Sequence, residues 1–376
     1  MHEHLGALIA RAGPIPFDVF VAAALYHPDG GFFAAGSGAG RTRDFLTSPE
    51  VGPLFGAVLA RALDTWWDEL GQPDPFIVID AGAGAGKLCQ SILGAAPACG
   101  PALRYLLVEV SEALRAQQAA ALALELPAFV LGPALGTEED GPVLAPGAGP
   151  IAASLAELPA GPFTGVVIAN ELLDNLPFLL LERRARGWDE VRVDRDRAGG
   201  FREALVPARP DLATEAERLA PAAPVGGRVP LQHRAHAWLR DALTVLERGR
   251  LVVIDYSDLT PALAAHPWQE WIRTYKRGGP GGHVLATPGS QDITCEVALD
   301  QLGRMRPTDV HRSQAEFLRA HGIDELVDAA RTKWSERAAI GDLEALAARS
   351  RVSEAAALTD RAGLGAFHVL EWVVSR

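Results

Sequence analysis

The chain has 376 residues, of which 48% are hydrophobic and 22% charged, a composition typical of a soluble globular protein with one large core. Its net charge of −12 and its pI of about 5.3 argue against a general nucleic-acid surface or an anionic-membrane surface, but suit a cationic substrate. No apolar run reaches the roughly 18–20 residues that span a bilayer, and no basic and apolar leader follows Met1, so we expect neither membrane insertion nor a signal peptide.

The first quarter of the chain predicts helices around a glycine-rich loop. Residues 1–25 read as two short helices, and the loop follows at 26–50. Apolar residues then recur with helical spacing from about Pro49 to Leu70. The three cysteines, at 89, 99 and 295, form no disulfide framework and no zinc spacing. A reducing compartment is therefore expected, which favours a cytoplasmic location, and no metal site is predicted.

Four short apolar runs predict strands that are buried on both faces of a sheet. They lie at 76–80, 104–110, 163–169 and 250–256, and the tail at 367–374 also has strand character. Helical patterns lie at about 85–94, 111–124 and 232–247 and through most of 313–363, whereas 132–150 reads as a loop and 188–194 as a further strand. The alternation of strands and helices predicts an α/β fold with a parallel sheet, whose ligands bind beyond the carboxyl ends of the strands.

A glycine-rich turn follows the first of these strands. The strand ends at Asp80, and Gly82, Gly84 and Gly86 then open a helix. Glycines let the backbone turn sharply and let a ligand approach without a Cβ in the way. Glu109 closes the next strand, where a carboxylate can accept both hydroxyls of an adenosine ribose. This order of strand, turn, helix and acid predicts a nucleoside-cofactor site.

The spacing of the turn distinguishes between cofactors. A dinucleotide fingerprint requires G-x-G-x-x-G, but Lys87 occupies its last position, and no Ser or Thr follows to make a P-loop. G-x-G-x-G with an acid at the strand end resembles the first motif of class I S-adenosylmethionine methyltransferases. A cationic sulfonium needs no phosphate clamp, and Asp80 suits it better than it suits a pyrophosphate.

Several longer stretches resemble the MidA family. They read YHPDGGFF, DFLTSPE, VIDAGAGAGKL, NELLDNLP, VIDYSD and QDITCEV. The family includes bacterial proteins and the mitochondrial complex I assembly-factor methyltransferase, which symmetrically dimethylates an arginine. The resemblance implies a class I, Rossmann-like methyltransferase sheet that uses S-adenosylmethionine and releases S-adenosylhomocysteine. One departure is Arg43, which stands where the family usually has glycine before Asp-Phe.

The resemblance also implies roles for residues beyond the fourth strand. NELLD is similar to Ser-Glu-Leu-Leu-Gly of symmetric arginine methyltransferases. The glutamate of that motif binds the substrate guanidinium, and Glu171 is the matching residue here. A second glutamate, about nine residues later in arginine methyltransferases, is replaced by Leu180. Asp174 either supplies part of its role or caps the turn. Asn170 is expected to orient the cofactor or the turn.

We also expect the chain to divide into three parts. Residues 1–71 would form an N-terminal helical cap with its loop. The Rossmann-like core would comprise 72–260, 305–320 and 364–376, with an insertion at about 178–249. Residues 261–304 and 321–363 would form an acceptor-side subdomain. Thr47, Ser48 and Pro49 either fold over the cofactor or simply begin a helix.

The sequence thus predicts an S-adenosylmethionine-dependent methyltransferase that modifies a protein side chain, with arginine favoured. A small-molecule O- or N-methyltransferase and a non-catalytic assembly protein that retains the cofactor fold are the alternatives, and a dehydrogenase is disfavoured by Lys87. A complete glycine turn, Glu109 and the Glu171/Asp174 pair speak against a mere scaffold. They do not identify the acceptor, the degree of methylation or the oligomeric state.

Overall fold

The computed structural model describes residues 1–36, 47–131, 146–276 and 279–375. The chain divides into two compact units, each assembled from three segments. The core unit comprises Leu46–Glu171, Ala242–Ile254 and Thr308–Arg376. The accessory unit comprises Met1–Phe45, Leu172–Asp241 and Asp255–Pro307. Arg43 and parts of the loops predicted at 26–50 and 132–150 lie outside the described residues.

A seven-stranded sheet forms the centre of the core unit. Numbered along the chain, its strands are β1 Phe76–Ala81, β2 Leu103–Val108, β3 Ile151–Leu155, β4 Phe163–Asn170, β5 Leu246–Asp255, β6 Val310–Ser313 and β7 His368–Ser375. The spatial order is β3-β2-β1-β4-β5-β7-β6. Strands β1 to β5 pair in parallel, and β6 pairs with β7 antiparallel. The order reverses between β1 and β4, the place where open α/β sheets bind ligands.

Burial explains why the central strands could be read from the sequence. Every residue of β1 and of β2 is buried. A strand covered on both faces needs apolar side chains at successive positions, because neither face meets water. The predicted α/β class with a Rossmann-like sheet is confirmed, and the run at 163–169 is the fourth strand of the sheet, as expected.

Helices cover this sheet and complete the core unit. They are Ser48–Val51, Pro53–Glu69, Lys87–Gly94, Glu112–Ala121, Pro127–Leu131, Gln314–Ala320, Ile323–Arg337 and Leu343–Leu358, with 3-10 turns at Gly100–Ala102 and Leu364–Ala366. Helix His233–Thr244 begins in an accessory segment and ends in a core segment. The long helix expected from Pro49 to Leu70 is two helices, because Gly52 interrupts it with an extended backbone.

The accessory unit contains short helices and three small sheets. Its helices are His2–Ala12, Phe17–Tyr26, Pro210–Leu219, Thr260–Ala265 and Leu299–Met305, with 3-10 turns at Phe33–Ala35, Leu173–Asn175 and Trp268–Glu270. Five strands pair in one sheet: Ile15–Pro16, Leu179–Arg183, Trp188–Arg195, Phe201–Pro207 and Arg228–Leu231. The other sheets pair Ser257–Asp258 with Val297–Ala298, and Ile272–Lys276 with Gly279–Pro280 and Asp292–Cys295.

Two further observations bear on the sequence-based expectations. All three cysteines are buried and free. Within the described ranges, no helix combines the length and the apolarity that a membrane crossing requires.

Candidate active site

The glycine turn joins β1 to helix Lys87–Gly94 in the core unit. Gly82, Gly84 and Gly86 all have a left-handed backbone, with φ of 71°, 53° and 82°. The amide of Gly82 donates to the carbonyl of Val108 at 2.9 Å, which ties the turn to the end of β2. A Cβ on Gly84 would meet no described protein atom within 4 Å. The turn is therefore held by its bond to Val108, while the space next to Gly84 is open. A ligand could approach the backbone there.

Glu109 connects this turn to β2. Its Oε2 accepts from the amide of Gly84 at 3.0 Å, and its Oε1 accepts from the amide of Ser111 at 2.8 Å. Burial raises the pKa of Glu109, whereas these two N–H groups and the Arg115 cation lower it. An ionised carboxylate can accept about four hydrogen bonds, so these two contacts do not exhaust what Glu109 can accept.

Asp80 lies at the carboxyl end of β1 and is held differently. Its side chain is buried, and its Oδ2 accepts from the hydroxyl of Tyr105 at 3.1 Å. Burial raises the pKa of Asp80 to about 7, the Tyr105 hydrogen bond lowers it, and the negative charge of Glu109 raises it further. The protonation state of Asp80 near neutral pH therefore depends more on a charge bound nearby than that of Glu109 does.

Glu171 follows β4 in an uncommon backbone conformation. Its φ is 51°, a left-handed value that costs energy for a residue with a Cβ and that clusters at functional sites. Its amide donates to the carbonyl of Ile254 at 2.8 Å. Its Oε1 accepts from Asn170 Nδ2 at 3.2 Å and from the amide of Ser48 at 3.3 Å. The backbone and the carboxylate are thus both held in place.

Asn170 contributes an acceptor atom that the described protein leaves unused. Its Nδ2 donates to Glu171, which orients the amide, and its Oδ1 is buried without a described hydrogen-bond partner. An unsatisfied buried acceptor costs about 1–3 kcal/mol. A ligand that brings an N–H or O–H donor would remove this cost.

The segment Thr47–Pro49 begins a four-residue helix. Thr47 is its N-cap residue but makes no capping hydrogen bond with its side chain. Ser48 is fully buried, and its hydroxyl donates to Gln314 Oε1 at 2.9 Å. The structure therefore brings Ser48 to Glu171 through its amide, while its hydroxyl is used inside the protein.

Asp174 belongs to the accessory unit. It is buried, and its Oδ2 accepts from the hydroxyl of Tyr256 at 2.6 Å. Burial raises the pKa of Asp174 to about 6, and the Tyr256 hydrogen bond opposes that rise. Its amide and that of Leu173 donate to Asp255 Oδ2 at 3.3 Å and 3.0 Å. Asp174 is thus part of a hydrogen-bonded turn, and its Oδ1 has no described partner.

Two residues that bond to the segment 48–54 were not among the predicted site residues. Gln314 and Glu354 are both buried in the core unit, and no short motif marks either one as functional. Among the described residues, no group of three or more His, Cys, Asp or Glu is arranged to hold a metal ion.

Comparison with known proteins places these features in a family. A family model described as "Putative S-adenosyl-L-methionine-dependent methyltransferase" matches residues 58–314. The chain is 28% identical over 349 residues to the mitochondrial protein arginine methyltransferase NDUFAF7 of Mus musculus, covering 86% of this chain and 74% of that protein. The protein of the same name from Homo sapiens is 29% identical over 351 residues, with the same two coverages.

A solved structure extends the similarity over almost the whole chain. It is a "likely methyl transferase" from Burkholderia thailandensis bound to S-adenosyl-homocysteine. It is 29% identical, with a TM-score of 0.78, and the match covers 99% of this chain and 91% of that one. Because the family model spans more than half of the chain, and the glycine turn and Glu109 lie within that span, the chain belongs to this family of S-adenosyl-L-methionine-dependent methyltransferases.

Proposed function

We propose that the protein transfers the methyl group of S-adenosylmethionine to an arginine side chain of a protein, and that Glu171 binds the acceptor guanidinium. The observation that carries the proposal is the strained and anchored Glu171 at the carboxyl end of β4. Relatives named as protein arginine methyltransferases, at 28% and 29% identity, support arginine as the acceptor.

The residues of the core unit fit the cofactor. Glu109 would accept the ribose hydroxyls with its remaining acceptor positions, and the uncovered Gly84 would let the nucleoside approach the turn. Asp80 would offset the positive charge of the sulfonium, with Gly82 and Gly86 shaping the turn beside it. Asn170 Oδ1 would accept a donor from the cofactor. Thr47, Ser48 and Pro49 would close this end of the site. When bound, the cofactor supplies an electrophilic methyl group.

The acceptor chemistry explains why a carboxylate is needed. A guanidinium has a pKa above 12, so no side chain removes its proton easily in the resting state. A carboxylate can accept two hydrogen bonds from neighbouring N–H groups of the planar guanidinium and thereby fix the plane of the guanidinium. It also draws positive charge toward itself, which leaves electron density on the attacking nitrogen. Glu171 would in addition offset the repulsion between the guanidinium and sulfonium cations.

Asp174 is proposed as a second acid of the reaction, and its role depends on its protonation. Its Oδ2 is bonded to Tyr256, and its pKa of about 6 leaves it largely ionised at pH 7.5. If Asp174 takes part in the reaction, Asp174→Asn should slow methyl transfer by an amount comparable to the loss in Glu171→Gln. If it only caps the turn, the effect should be much smaller.

The test uses Glu171→Gln, which keeps the size of the side chain and removes its charge. Purified protein and S-adenosylmethionine with a labelled methyl are added to an extract of a host strain lacking the protein. The label in methylarginine is then measured. We expect the variant to lose roughly 10²-fold or more in rate, as for other lost preorganised electrostatic partners. Its affinity for S-adenosylhomocysteine should stay within about twofold.

The control variant is Glu125→Gln, which removes an exposed carboxylate of the same unit and should transfer methyl at the wild-type rate. A Glu171→Gln protein that is as active as the control would remove Glu171 from the reaction. Label that appears only in small molecules, or in residues other than arginine, would refute the proposed acceptor.

A further inference from the structure

Two buried links join the segment that carries Ser48 to helix Leu343–Leu358 within the core unit. In one, Gln314 connects the hydroxyl of Ser48 to the carbonyl of Leu358. In the other, Glu354 Oε2 accepts from the amide of Leu54 at 3.0 Å, and its Oε1 accepts from the hydroxyl of Ser350 at 2.9 Å. Helix Leu343–Leu358 lies beyond the residues that the family model matches, yet it holds both ends of the segment 48–54.

The amide of Gln314 has a defined orientation. Its Nε2 donates to the carbonyl of Leu358 at 3.1 Å, so Oε1 faces the hydroxyl of Ser48 at 2.9 Å. Its own backbone amide donates to the carbonyl of Phe367 at 2.7 Å, and the residue is fully buried. A carbonyl oxygen accepts only from a donor, so turning the amide over would break the Leu358 bond and leave buried polar atoms unpaired.

The position of Ser48 determines one of the contacts of Glu171. With the hydroxyl held by Gln314, the amide of Ser48 lies 3.3 Å from Glu171 Oε1. This distance is already beyond the usual 2.7–3.2 Å of an N–H···O bond. A displacement of Ser48 by about half an ångström would therefore remove the contact, leaving Asn170 Nδ2 as the other described donor to that oxygen.

We propose that Gln314 is a positioning residue for Glu171 and that it acts through Ser48, with Glu354 holding the far end of the same segment. The inference rests on the proposed function, in which Glu171 binds the acceptor, and it extends that function to residues that touch neither cofactor nor acceptor. Gln314 then contributes to the rate of transfer by keeping the Glu171 carboxylate in one orientation.

Gln314→Met tests the proposal, because methionine fills a similar volume without hydrogen-bonding groups. Gln301→Met is the matched control. Gln301 is also buried, and its amide donates to the carbonyl of Pro230 at 2.7 Å and accepts from the amide of Gln232 at 3.1 Å, all within the accessory unit. The two variants should therefore lose similar stability, which separates a general packing effect from a positioning effect.

The measurement determines the rate at saturating cofactor separately from the KM for S-adenosylmethionine. With labelled S-adenosylmethionine and the extract lacking the protein, we expect the rate of Gln314→Met at saturating cofactor to fall tenfold or more. Its KM for S-adenosylmethionine should stay within about threefold, and the rate of Gln301→Met within about twofold. An equal loss of rate in both variants would overturn the proposal. If Gln314→Met does not fold, Ser48→Ala removes the other end of the same link and should lower the rate at saturating cofactor tenfold or more.

A crystal structure of Gln314→Met with S-adenosylhomocysteine separates this proposal from the proposed function. We expect the distance between the Ser48 amide and Glu171 Oε1 to exceed 3.5 Å. An unchanged distance would refute the positioning role, whatever the acceptor is. Full activity of Glu171→Gln would instead refute the role of Glu171 in transfer, and with it any catalytic effect of this link.

Discussion

At the scale of single residues, two buried carboxylates beside the glycine turn differ in how their charge is stabilised. Glu109 accepts from two backbone amides, whereas Asp80 accepts from the single hydroxyl of Tyr105. Backbone N–H groups favour the ionised form of a carboxylate, and desolvation disfavours it. The bonds to Glu109 therefore fix its carboxylate as a hydrogen-bond acceptor, as the proposed ribose contact requires, while Asp80 gains most from a positive charge placed near it.

This difference predicts how Asp80 affects stability. Its folded pKa of about 7 lies above the usual 3.8, so the folded state binds a proton that the unfolded state releases. The contribution to stability is full below about pH 4 and is lost as the pH rises to about 7, with a slope of at most about 1.4 kcal/mol per pH unit. Asp80→Asn cannot titrate, so without cofactor its free energy of unfolding should fall less steeply over this range.

Urea titrations at pH 5, 6, 7 and 8 measure the effect, with Asp241→Asn as the control for an exposed carboxylate. The control should follow the wild-type pH dependence. If Asp80→Asn also follows it, the buried carboxyl does not titrate as described.

The residue scale also shows which parts of the site could be predicted. The glycine turn and Glu109 were visible because consecutive strand, turn and helix bring them together over a short stretch of chain. The link between Ser48 and Gln314 was not, because 266 residues separate the two partners in sequence. The left-handed backbone of Glu171 was equally hidden, since no local pattern predicts a strained residue that its surroundings hold in place.

At the scale of elements, a single glycine divides the predicted helix after Thr47 into two. Gly52 separates Ser48–Val51 from Pro53–Glu69, and the carboxylate of Glu354 accepts from the amide of Leu54 in the first turn of the second helix. Helix N-termini carry unpaired N–H groups, so a buried carboxylate there replaces the usual capping side chain. The absence of a Cβ on Gly52 leaves room for that carboxylate.

Gly52→Ala should therefore destabilise the protein by packing rather than by backbone strain. The added Cβ would overlap the Glu354 carboxylate, and overpacking of this kind costs about 1–3 kcal/mol. The control is Gly94→Ala at the end of helix Lys87–Gly94, where a Cβ would meet nothing within 4 Å. Urea denaturation should show a loss only for Gly52→Ala. Equal stability of the two variants would contradict the role of Gly52.

Elements differ in how far the sequence predicts them. β1 and β2 are buried along their whole length and appear as continuous apolar runs. β3 was missed because it is a five-residue edge strand, Ile-Ala-Ala-Ser-Leu, in which Ile151 is the one β-branched residue and two alanines favour helix as much as strand. Strand Phe201–Pro207 was missed because it is largely uncovered and carries charged side chains. Its structure depends on pairing with Trp188–Arg195, which a local pattern does not reveal.

At the scale of the whole molecule, net charge bears on how an acceptor is found. The chain carries a net charge of −12, and an arginine-containing acceptor site is cationic. Long-range attraction raises the association rate of such a partner and is screened by salt, with a Debye length of about 10 Å at 0.1 M. We expect kcat/KM for the acceptor to fall severalfold between about 50 and 300 mM NaCl.

The dissociation constant of S-adenosylhomocysteine, which has no net charge, provides the control and should change less than about twofold. A transfer rate that is constant or rises with salt would argue against electrostatic recruitment of the acceptor. Both measurements use wild-type protein, so neither depends on the folding of a variant.

The position of β7 between β5 and β6 has a consequence for biosynthesis. The ribosome makes β7 after both of its neighbours, and residues 314–367 separate it from β6. At 5–20 residues per second, translation of that stretch takes roughly 3 to 11 seconds. Throughout this interval β7 has not been made, so the edge of β5 that will pair with β7 is unpaired, and β6 also lacks β7 as its partner. Unpaired edges invite association with other chains, so the newly made protein passes through a period in which a chaperone would find a binding site that the finished molecule no longer offers.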